Sequence, residues 1–586
     1  MCGIAGFNFK VNKDEVFKRL HHRGPDEKGI FEDNLISLFH TRLSIQDIRE
    51  GHQPFIYQNY VIIFNGEIYN HLALRKNLDA NFKTSSDTET LLHLYLKYKE
   101  NMFKYIDGMF AFVIYDKNKK ELFIARDRAG KKPLYIYQKN NKFGFSSEIN
   151  IFKFLDLTIN EDDINIYLST GFCESGYKEV KEFPPSSYAI WKIESGELRI
   201  EKYFNILDYF DESIKDENEA IILLDDILDK SVQNRLLSSD VEVGAFLSGG
   251  IDSSLIVAKA SKYKKLKTFT VRFEGEFDES YLANLTAKRY DTIHKTIDVK
   301  IDFDKIIEII SNYGKPFFDS SAIPSFFVSL EARKEVKVIL NGDGADEIFA
   351  GYRRYLPLRY GLDKIAKNFD FILPFLNPQK RGLNMFIYRL IRASQKDGIS
   401  WYNAMLNDLF ENLYQFKSKK IDEINNFINS TKLDNFNKLL YLDFVLNLRY
   451  DLLVKMDIAT MSNSLEGRSP FLSKYFLETA FKIDKSLKIK NFKTKYILRK
   501  LATKYLDNEV VTAKKRGFEI PLTKWINNEM KDMIMDYLNY GFYKNFVNGD
   551  LIDKIIYRKI DIPEDKRAKI LYLLFTLEVW RKKCVQ

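Results

Sequence analysis

The pattern of apolar and polar positions is strand-like in the first part of the chain. Short apolar runs end at Asn-Gly, Asp-Lys-Asn or Arg-Asp, and three of them cover residues 61–64, 111–115 and 121–125. Runs of this length bounded by turn residues are typical of β-strands. A helical pattern from about residue 87 to 99 follows Ser85 and Ser86, which can cap it. We therefore predict a strand-rich first region with few helices.

The pattern changes after a last strand-like run at residues 198–203. It becomes helical near Glu217, and strands then alternate with helices. The runs 243–247, 268–273 and 336–340 each precede a glycine-rich or polar turn and a helical pattern. Such alternation predicts a parallel sheet covered by helices, and from about Tyr355 the chain reads as mostly helical. We place the boundary near residues 205 to 215, so the predicted domains are 2–205 and 215–586.

Composition and charge narrow the classes of function. The 586 residues are 45% apolar and 29% charged, which is ordinary for a soluble globular protein. Because 90 basic residues are interleaved with 81 acidic ones, the net charge of +9 forms no long basic tract. We therefore expect no nucleic-acid partner.

The cysteines and the apolar runs indicate a location. Cys2, Cys173 and Cys584 are too few and too scattered for a disulfide framework or a zinc site. The sequence contains neither a secretory leader pattern nor an uncharged apolar run of about 18 residues. We therefore expect a cytoplasmic protein that does not bind a membrane.

Cys2 is a candidate nucleophile. Removal of Met1 would leave its thiol beside a free α-amine, which titrates at about 7.7–8.0 and accepts a thiol proton near neutral pH. We expect the active chain to begin at Cys2. An accidental cysteine at the start of a strand is the simpler alternative, and Cys2 alone does not decide between them.

A glycine- and serine-rich turn follows the first strand of the second region. The turn contains Ser248, Gly249, Gly250, Asp252, Ser253 and Ser254. Converging backbone N–H groups and the positive end of the next helix bind an anion of pyrophosphate size. The lysine of a Walker loop is missing, and a structural strand-to-helix connection is the alternative. The pattern resembles the loop of ATP pyrophosphatases, which convert ATP to AMP and pyrophosphate.

An acidic turn follows the run at 336–340. It contains Asn341, Gly342, Asp343, Asp346 and Glu347. Ligands collect at the carboxyl ends of parallel strands, so this turn and the serine-rich turn should lie close together. Neighbouring carboxylates repel each other unless a cation neutralises them, and ATP arrives with Mg²⁺. An acidic turn that caps a helix is the alternative, but the position behind a strand favours a magnesium–nucleotide site.

Ordered motifs along nearly the whole chain match one known family. In the first region they include Cys-Gly-Ile at 2–4, His-Arg-Gly-Pro-Asp at 22–26, Arg-Leu-Ser-Ile at 42–45, Asn-Gly-Glu-Ile-Tyr-Asn at 65–70 and Ser-Asp-Thr-Glu at 86–89. In the second they include 248–254, 319–324, 342–351, 464–472 and Lys-Arg-Gly-Phe at 515–518. The chain resembles glutamine-hydrolysing asparagine synthetases of the bacterial type. The resemblance implies an N-terminal-nucleophile αββα sandwich, followed by an α/β ATP-pyrophosphatase domain with a parallel sheet and a helical C-terminal part.

The resemblance also implies roles in the first region. Cys2 would attack the glutamine carboxamide, and the Asn65 amide and Gly66 backbone N–H would form the oxyanion hole. Arg42 would hold the glutamine α-carboxylate, and two acids would hold its α-amine. The residues that match glutamine-binding positions are Arg42, Leu43, Ser44, Ile45, Gln46, Asn65, Gly66, Glu67 and Asp87.

In the second region the resemblance implies a nucleotide site. The residues that match ATP-binding positions are Leu247, Ser248, Gly249, Gly250, Asp252, Ser253, Ser254, Val271, Asn341, Gly342 and Lys455. Asp343 matches the acid needed to form an acyl-adenylate, and Lys455 a lysine near the phosphates. Asp252 and Asp346 would bind Mg²⁺.

The implied reaction joins both sites. Ammonia from glutamine passes inside the protein to a carboxylate activated with ATP as acyl-AMP, most simply aspartate. One alternative is the same mechanism on another acid, such as a sugar uronate or a cell-wall precursor. Another is a glutaminase whose second half only binds ligands, although the intact motifs argue against it. The expected ligands are glutamine, ATP, Mg²⁺ and the acceptor acid, and a homodimer is left open.

Three positions depart from the family pattern in the region that recognises the acceptor. Lys315 stands where many relatives have an acid before proline, Gly467 replaces a commonly larger residue, and Ser473 stands where Asp is usual. These departures leave the chemistry intact and leave the choice of acceptor open.

Overall fold

The computed structural model describes residues 2–272, 280–298, 301–376, 382–406, 409–410, 413–513 and 520–585. The motif predicted at 515–518 lies outside the described residues.

The first region is rich in strands, as predicted, and the strands pair antiparallel. The strands are β1 (Gly3–Phe7), β2 (Glu27–Glu32), β3 (Ser37–Arg42), β4 (Phe55–Tyr57), β5 (Tyr60–Ile68), β6 (Gly108–Asp116), β7 (Glu121–Arg126), β8 (Tyr135–Lys139), β9 (Lys142–Ser146), β10 (Val180–Glu182), β11 (Ser187–Lys192) and β12 (Leu198–Lys202). The helices are α1 (Lys13–Leu20), α2 (His71–Arg75), α3 (Asp87–Tyr98) and α4 (Glu161–Thr170). The apolar runs at 61–64, 111–115 and 121–125 lie in β5, β6 and β7. The Ser86 side chain caps α3 by accepting from the Thr88 N–H at 3.0 Å.

Two sheets face each other in this first domain. One has the order β10-β8-β9-β1-β3-β2 and the other β12-β11-β7-β6-β5-β4. Buried side chains such as Ile4, Ile63 and Val113 fill the space between them. Helices α1 and α4 cover the first sheet and α3 covers the second. Burial of each large apolar side chain contributes about 1.5–3 kcal/mol, which holds these four layers together and confirms the αββα expectation.

The second region contains a parallel sheet. Its strands are β13 (Val243–Phe246), β14 (Lys267–Arg272), β15 (Ile293–Asp298), β16 (Val338–Leu340) and β17 (Glu466–Arg468). Helices α5 (Glu217–Leu237), α6 (Ile251–Ala260), α7 (Ser280–Arg289), α8 (Ile306–Ser311), α9 (Ala322–Arg333) and α10 (Ala345–Ile348) alternate with the strands. The order is β15-β14-β13-β16-β17, and every pair is parallel. The predicted runs coincide with β13, β14 and β16.

The rest of the chain is mostly helical, as predicted. The helices are α11 (Tyr355–Arg359), α12 (Leu362–Ala366), α13 (Leu383–Ser394), α14 (Gly398–Leu406), α15 (Lys419–Ser430), α16 (Asn435–Leu442), α17 (Leu453–Met461), α18 (Lys474–Ala480), α19 (Lys485–Lys488), α20 (Tyr496–Ala502), α21 (Asn508–Thr512), α22 (Leu522–Asn527), α23 (Lys531–Leu538), α24 (Gly549–Ile556) and α25 (Glu564–Cys584). A π-helix at Asp443–Leu452 joins α16 to α17. None of the described helices has the length and apolar character needed to cross a membrane.

The topology positions a ligand crevice. β13 lies in the middle of its sheet, with β14 on one side and β16 on the other. The chain segments that follow β13 and β16 therefore run to opposite sides, and a crevice opens between them at the carboxyl edge of the sheet. The serine-rich turn follows β13 and the acidic turn follows β16, so both predicted motifs border this crevice.

The final helix joins the two regions. Tyr177 donates its hydroxyl to the Cys584 carbonyl oxygen at 2.8 Å, and Trp580 donates its indole N–H to the Gly314 carbonyl oxygen at 3.1 Å. Tyr167 donates to the Leu573 carbonyl oxygen at 3.1 Å. These buried contacts pack α25 against both domains and fix their relative position.

Candidate functional sites

Cys2 lies at the start of β1, where the two facing sheets of the first domain meet. β1 pairs with β3, which ends at Arg42. β5 of the other sheet brings Asn65 close, and the Cys2 backbone nitrogen donates to Asn65 Oδ1 at 3.2 Å. The Cys2 side chain is buried, and this burial raises the pKa of its thiol, although the Leu43 backbone N–H and the Arg42 charge act in the opposite direction. The thiol therefore needs a base to become a nucleophile.

The predicted oxyanion-hole residues are adjacent on β5. A Cβ at Gly66 would lie 2.1 Å from the Met109 carbonyl oxygen, so this strand position requires glycine. Asn65 Nδ2 approaches Ser147 Oγ at 3.4 Å. Ser147 in turn accepts from the Ile4 backbone N–H at 3.1 Å and ties β1 to the end of β9. Sequence patterns did not single out Ser147, because its role depends on two strands far apart in the chain.

Arg42 organises the loop that borders this pocket. Its guanidinium donates to the carbonyl oxygens of Gln46 at 3.2 Å and Asp47 at 2.6 Å. The Gln46 side chain then accepts from the Asp87 backbone N–H at 3.2 Å. The remaining predicted residues of the loop are Leu43 and Ile45, which are buried in the core, and Ser44, whose N–H donates to Asp26 at 2.8 Å. Leu43 thus offers its backbone N–H to Cys2, whereas the Ile45 carbonyl oxygen accepts from the Asp240 N–H at 2.9 Å.

Two buried acids lie side by side in the same pocket. Burial, and after it the nearby Glu466 charge, raise the pKa of Asp87 to about 7, although the Ile68 N–H donates to it at 2.8 Å. Burial and the neighbouring Asp87 also raise the pKa of Glu67 well above its usual range. Glu67 Oε2 accepts from Arg468 at 3.1 Å, whereas Oε1 is buried without a hydrogen-bond partner among the described residues. The pair is built to receive a further cationic group.

The serine-rich turn has the geometry of an anion-binding loop. Gly249 has a φ of +71°, a left-handed conformation that glycine adopts without strain. Ser253 Oγ accepts from the Ser248 N–H at 3.1 Å, and Ser254 Oγ accepts from Thr286 at 3.1 Å. Gly250 is the N-cap of α6. The loop thus leads directly into a helix N-terminus, as predicted for a phosphate site.

The two predicted nucleotide motifs meet at this helix. A Cβ at Gly342 would lie 3.1 Å from Asp252 Cβ, so the turn after β16 approaches the start of α6 closely. Leu247 N–H donates to the Phe269 carbonyl oxygen at 2.9 Å, which joins the ends of β13 and β14. Val271 follows on β14 and is buried. The predicted ATP-binding residues of these strands and turns therefore surround one crevice.

A lysine that sequence reasoning missed lies between the two predicted metal ligands. Lys495 Nζ is 2.5 Å from Asp252 Oδ2 and 2.6 Å from Asp346 Oδ1. Lys495 precedes α20, and a Cβ at Gly351 would lie 2.3 Å from Lys495 Cε, so the lysine has a fixed path to the crevice. It belongs to a lysine-rich stretch, and nothing in the local pattern distinguishes it from its neighbours.

The acid pair can take part in Mg²⁺ binding but does not form a closed metal site. Asp252 Oδ1 is buried and has no hydrogen-bond partner among the described residues, which leaves one hard oxygen for a cation. In the described ranges, no group of three His, Cys, Asp or Glu side chains is arranged to hold a metal ion. Two carboxylates suit a Mg²⁺ ion that brings its remaining oxygen ligands with phosphates. Glu347 is not part of this pair, because its carboxylate accepts from the Tyr352 hydroxyl.

Asp343 and Asn341 contact the strand end next to them. Asn341 N–H donates to the Arg468 carbonyl oxygen at 2.9 Å, and Ser469 Oγ donates to Asn341 Oδ1 at 2.6 Å. Ser469 Oγ is also 3.4 Å from Asp343 Oδ2. The edge strand β17 therefore holds the acidic turn in place. The sequence analysis did not predict β17, because three residues are too few for a recognisable strand pattern.

Lys455, the lysine predicted to lie near the phosphates, is buried in a second acidic cluster. Its ammonium is 2.8 Å from Asp319 Oδ2 and 2.9 Å from Ser321 Oγ, both in the motif at 319–324. Burial and the neighbouring Asp319 charge raise the pKa of Asp451 well above its usual range. The cluster thus combines one cation with two acids whose pKa values shift in opposite directions, that of Asp319 downward and that of Asp451 upward.

Two of the three departures have structural explanations. Lys315 donates from Nζ to the Cys173 carbonyl oxygen at 2.7 Å, so its ammonium binds the first domain. Ser473 is the N-cap of α18 and accepts from the Phe476 N–H at 3.3 Å, a role that Ser and Asp perform about equally well. Gly467 pairs with Ile339 at the sheet edge, and nothing in the structure explains the loss of a larger side chain there.

Comparison with known proteins identifies the family. The family model described as "Asparagine synthase" matches residues 223–582, and the one described as "Glutamine amidotransferase domain" matches residues 1–204. The chain is 34% identical to "Asparagine synthetase [glutamine-hydrolyzing] 1" of Bacillus subtilis, over 99% of this chain and 96% of that protein. The chain belongs to the asparagine synthase family. We name its two parts the amidotransferase domain and the synthetase domain.

Two further family members are similar to this chain. "Putative asparagine synthetase [glutamine-hydrolyzing] 2" of Methanocaldococcus jannaschii is 37% identical over 66% of this chain and 82% of its own length. "Putative asparagine synthetase [glutamine-hydrolyzing]" of Mycobacterium bovis is 31% identical over 92% of this chain and 88% of its own length. The similarity thus spans both domains of the family architecture.

Charged side chains bind the amidotransferase and synthetase domains to each other. Arg23 lies between Glu148 of its own domain and Asp457 of the synthetase domain, at 2.8 Å from each. Lys132 is 3.3 Å from Asp457, and burial, partly offset by that acid, lowers the pKa of Lys132 to about 8. Because Arg23 and Lys132 are paired with Asp457 across the boundary, separating the domains would expose or unpair these buried charges at high cost.

Proposed function

We propose that this protein converts aspartate to asparagine with ATP and ammonia from glutamine, producing glutamate, AMP and pyrophosphate. The observation that carries the proposal is the direct connection of a buried Cys2 pocket to a strand-end crevice by β17. Arg468 of β17 donates to Glu67 in the pocket at 3.1 Å, and Glu466 at one end of β17 adds negative charge beside Cys2 and Asp87. Ser469, just past its other end, binds Asn341. Glu466 and Ser469 are three residues apart, which corresponds to about 10 Å of extended chain.

Glutamine is hydrolysed in the amidotransferase domain. After removal of Met1, the Cys2 amine accepts the thiol proton, and the sulfur attacks the carboxamide carbon. The hydrogen bond from the Cys2 nitrogen to Asn65 Oδ1 orients this amine. The Asn65 amide and the Gly66 N–H stabilise the oxyanion, and the amine then gives its proton to the departing ammonia. Water hydrolyses the resulting thioester to glutamate.

The ends of glutamine are held by opposite charges. Glu67 and Asp87 receive the α-ammonium, and the unpartnered Glu67 Oε1 is the acceptor best placed to bind it. Arg42 binds the α-carboxylate, and its carbonyl contacts at Gln46 and Asp47 set the position of the loop around it. A zwitterion therefore finds both its charges matched inside one buried pocket.

The synthetase domain activates the acceptor. The turn of Ser248, Gly249 and Gly250 binds the terminal phosphates of ATP, so that pyrophosphate is the leaving group. Lys495 supplies positive charge beside them. Asp252 and Asp346 would hold the Mg²⁺ that accompanies ATP, and the bound ion would supply positive charge for the phosphate oxygens. The acceptor carboxylate attacks the α-phosphorus, and ammonia then displaces AMP from the acyl-adenylate.

Aspartate is favoured over a sugar uronate as the acceptor. The cluster near the crevice contains the ammonium of Lys455 and the acids Asp319 and Asp451. A ligand with an α-ammonium and carboxylates matches such a mixture of charges. A uronate has no cationic group to match the acids. Lys315 does not alter this charge pattern, because its ammonium is bound to the Cys173 carbonyl oxygen.

The proposal is tested by incubating the protein with ATP, Mg²⁺ and glutamine or ammonium salt, together with aspartate, glutamate or a uronate. We expect asparagine, AMP and pyrophosphate in equal amounts with aspartate, and no amide with the other acids. Formation of ADP and phosphate would contradict the mechanism, and amidation of the uronate would contradict the acceptor. Glutamine hydrolysis without any amide would leave only a glutaminase.

We further place the protein in the cytoplasm. Its described cysteines Cys2, Cys173 and Cys584 are all free, and a reducing compartment keeps the Cys2 thiol available. A homodimer stays a prediction.

A further inference from the structure

One lysine of the amidotransferase domain reaches the crevice of the synthetase domain. Lys131 lies between β7 and β8, and its Nζ is 3.3 Å from Asp343 Oδ2. The Lys131 side chain is 5% exposed and that of Asp343 17% exposed, so solvent screens this ion pair only weakly. The contact joins residues 212 positions apart.

The direction of Lys131 is set within its own domain. The Asp127 carboxylate accepts from the backbone N–H groups of Ala129 at 3.2 Å, Lys131 at 2.9 Å and Lys132 at 2.9 Å. These bonds fix the turn that carries both lysines. The two lysines have different partners: Lys132 contacts Asp457, and Lys131 contacts Asp343 of the acidic turn. The backbone of Lys131 is therefore positioned by its own domain, and its ammonium contacts Asp343 of the synthetase domain.

Asp343 differs from the other acids of the crevice in the source of its counter-charge. Asp252 and Asp346 share Lys495, and Asp319 has Lys455, and both lysines belong to the synthetase domain. Within the described part of the chain, Lys131 is the cation that forms an ion pair with Asp343. Ser469 Oγ, at 3.4 Å, is its neutral neighbour.

We propose that Lys131 is a positioning residue for acyl-adenylate formation, which it supports by holding the Asp343 carboxylate in the crevice beside the bound nucleotide. This inference rests on the proposed function. Without the ammonium, the negative charge of ATP would repel the Asp343 carboxylate and turn it away from the reacting groups. The amidotransferase domain thus supplies the synthetase site with a charged side chain as well as with ammonia.

The test compares Lys131→Met, Lys131→Gln and Lys131→Arg in the full-length protein. Ammonium-dependent synthesis is followed by pyrophosphate release, and glutamine hydrolysis is measured on the same preparation. We expect Lys131→Met and Lys131→Gln to lower kcat of synthesis about 10- to 100-fold, which is the range for loss of one charged hydrogen bond. The KM for ATP should change little, and Lys131→Arg should restore most of the rate. Glutamine hydrolysis should persist.

Lys337→Met is the matched control. Lys337 forms an ion pair with Asp26 across the same domain boundary at 2.9 Å, but near the surface and away from Asp343. If Lys131 merely held the domains together, Lys337→Met and Lys131→Met would have similar effects, and Lys131→Met would also impair glutamine hydrolysis. Either result would overturn the proposal.

A second measurement tests whether Lys131 acts through Asp343. In an Asp343→Asn background, adding Lys131→Met should cause no further loss of pyrophosphate release, because the partner charge is already gone. Independent, multiplicative losses would overturn the proposal. If the unmodified protein itself released no pyrophosphate with aspartate and ammonium, the proposed function would fail instead, so the two failures are distinguishable.

Discussion

The glutamine pocket contains two buried acids and the nucleotide crevice contains partly buried ones, and different mechanisms control their charge. In the pocket, burial raises the pKa of Asp87 to about 7 and that of Glu67 well above its usual range. In the crevice, the acids are paired with lysines, as Asp252 and Asp346 are with Lys495. The first arrangement lowers the charge of the empty site mainly by protonation, beside the one pair of Glu67 with Arg468, and the second balances it with ion pairs.

The difference corresponds to the charges of the two ligands. Glutamine has no net charge, so a pocket that is nearly neutral before binding loses little when it is sealed from water. ATP carries several negative charges and a metal ion. A crevice of lysine–carboxylate pairs can offer its lysines to phosphates and its carboxylates to Mg²⁺ in one rearrangement.

Cys2→Ala should produce the largest difference between the activities of the two sites. Removing the nucleophile should lower glutamine-dependent synthesis more than about 10³-fold. Synthesis from ammonium salt should continue, because the crevice uses other residues. Amide analysis with each nitrogen source checks this. Loss of both activities in a folded variant would show that the sites are not independent.

Asp346→Asn should have the reverse effect. It keeps the shape of the side chain and removes the negative charge that would hold Mg²⁺, and a bound Mg²⁺ would stabilise the leaving pyrophosphate. We expect synthesis to fall about 10²- to 10³-fold, while release of glutamate from glutamine persists. Both rates are measured on one preparation. Near-normal synthesis would show that this acid is a structural part of the turn.

Lys495→Met tests the ion pairs of the crevice more directly. The change removes the cation that Asp252 and Asp346 share, which is also the positive charge proposed to lie beside the phosphates of bound ATP. We expect about a 10- to 100-fold loss of pyrophosphate release and no loss of glutamine hydrolysis. Lys500→Met is a suitable control, because Lys500 is a half-exposed lysine of α20, the helix that Lys495 precedes, and is paired with Glu217. Equal effects of the two changes would refute a specific role for Lys495.

The pH dependence of glutamine binding tests the pocket. The α-ammonium binds the ionised form of Asp87, whose pKa is about 7 mainly because of burial. The KM for glutamine should therefore fall as the pH rises through 7, and rise by up to about tenfold per pH unit below it. Asp87→Asn should flatten this profile. A KM for glutamine that is independent of pH between 6 and 8 in the unmodified protein would contradict the buried-acid model.

The smallest effect concerns Ser473, a departure from the family pattern outside both sites. Because Ser and Asp cap helices about equally well, Ser473→Asp should leave the acceptor preference unchanged. Ser473→Ala should lower the free energy of unfolding by about 1 kcal/mol through loss of the cap. Denaturant unfolding and the acceptor panel measure the two outcomes. A changed acceptor preference in Ser473→Asp would give this position a role in recognition.

Periodic elements and motif loops were predictable from the sequence. Strands β5, β6 and β7 and the cap of α3 follow from apolar spacing and turn residues, and these signals lie within a few positions of one another. The confirmed fold and family likewise depend on local motifs, such as the turns after β13 and β16. The predicted roles of individual site residues stay predictions, although the structure gathers them around two sites.

Three contacts that distinguish the two sites could not be predicted. Lys495 joins Asp252 over 243 positions, Arg468 joins Glu67 over 401, and Lys131 joins Asp343 over 212. Local patterns contain no signal for such pairs, and each lysine or arginine is one of 90 basic residues. The departure at Lys315 also needed the fold, because only the packed domains show that its ammonium binds the Cys173 carbonyl oxygen.

The sequence by itself determined which chemistry the chain carries, because a nucleophile, an anion-binding turn and an acidic turn are each encoded by neighbouring residues. Tertiary structure alone decided how the charges of these groups are balanced. Burial sets the pKa of Asp87, and side chains from distant elements supply the cations beside Asp252 and Asp343. Desolvation and Coulomb interactions depend on distances in space, which the order of residues does not specify.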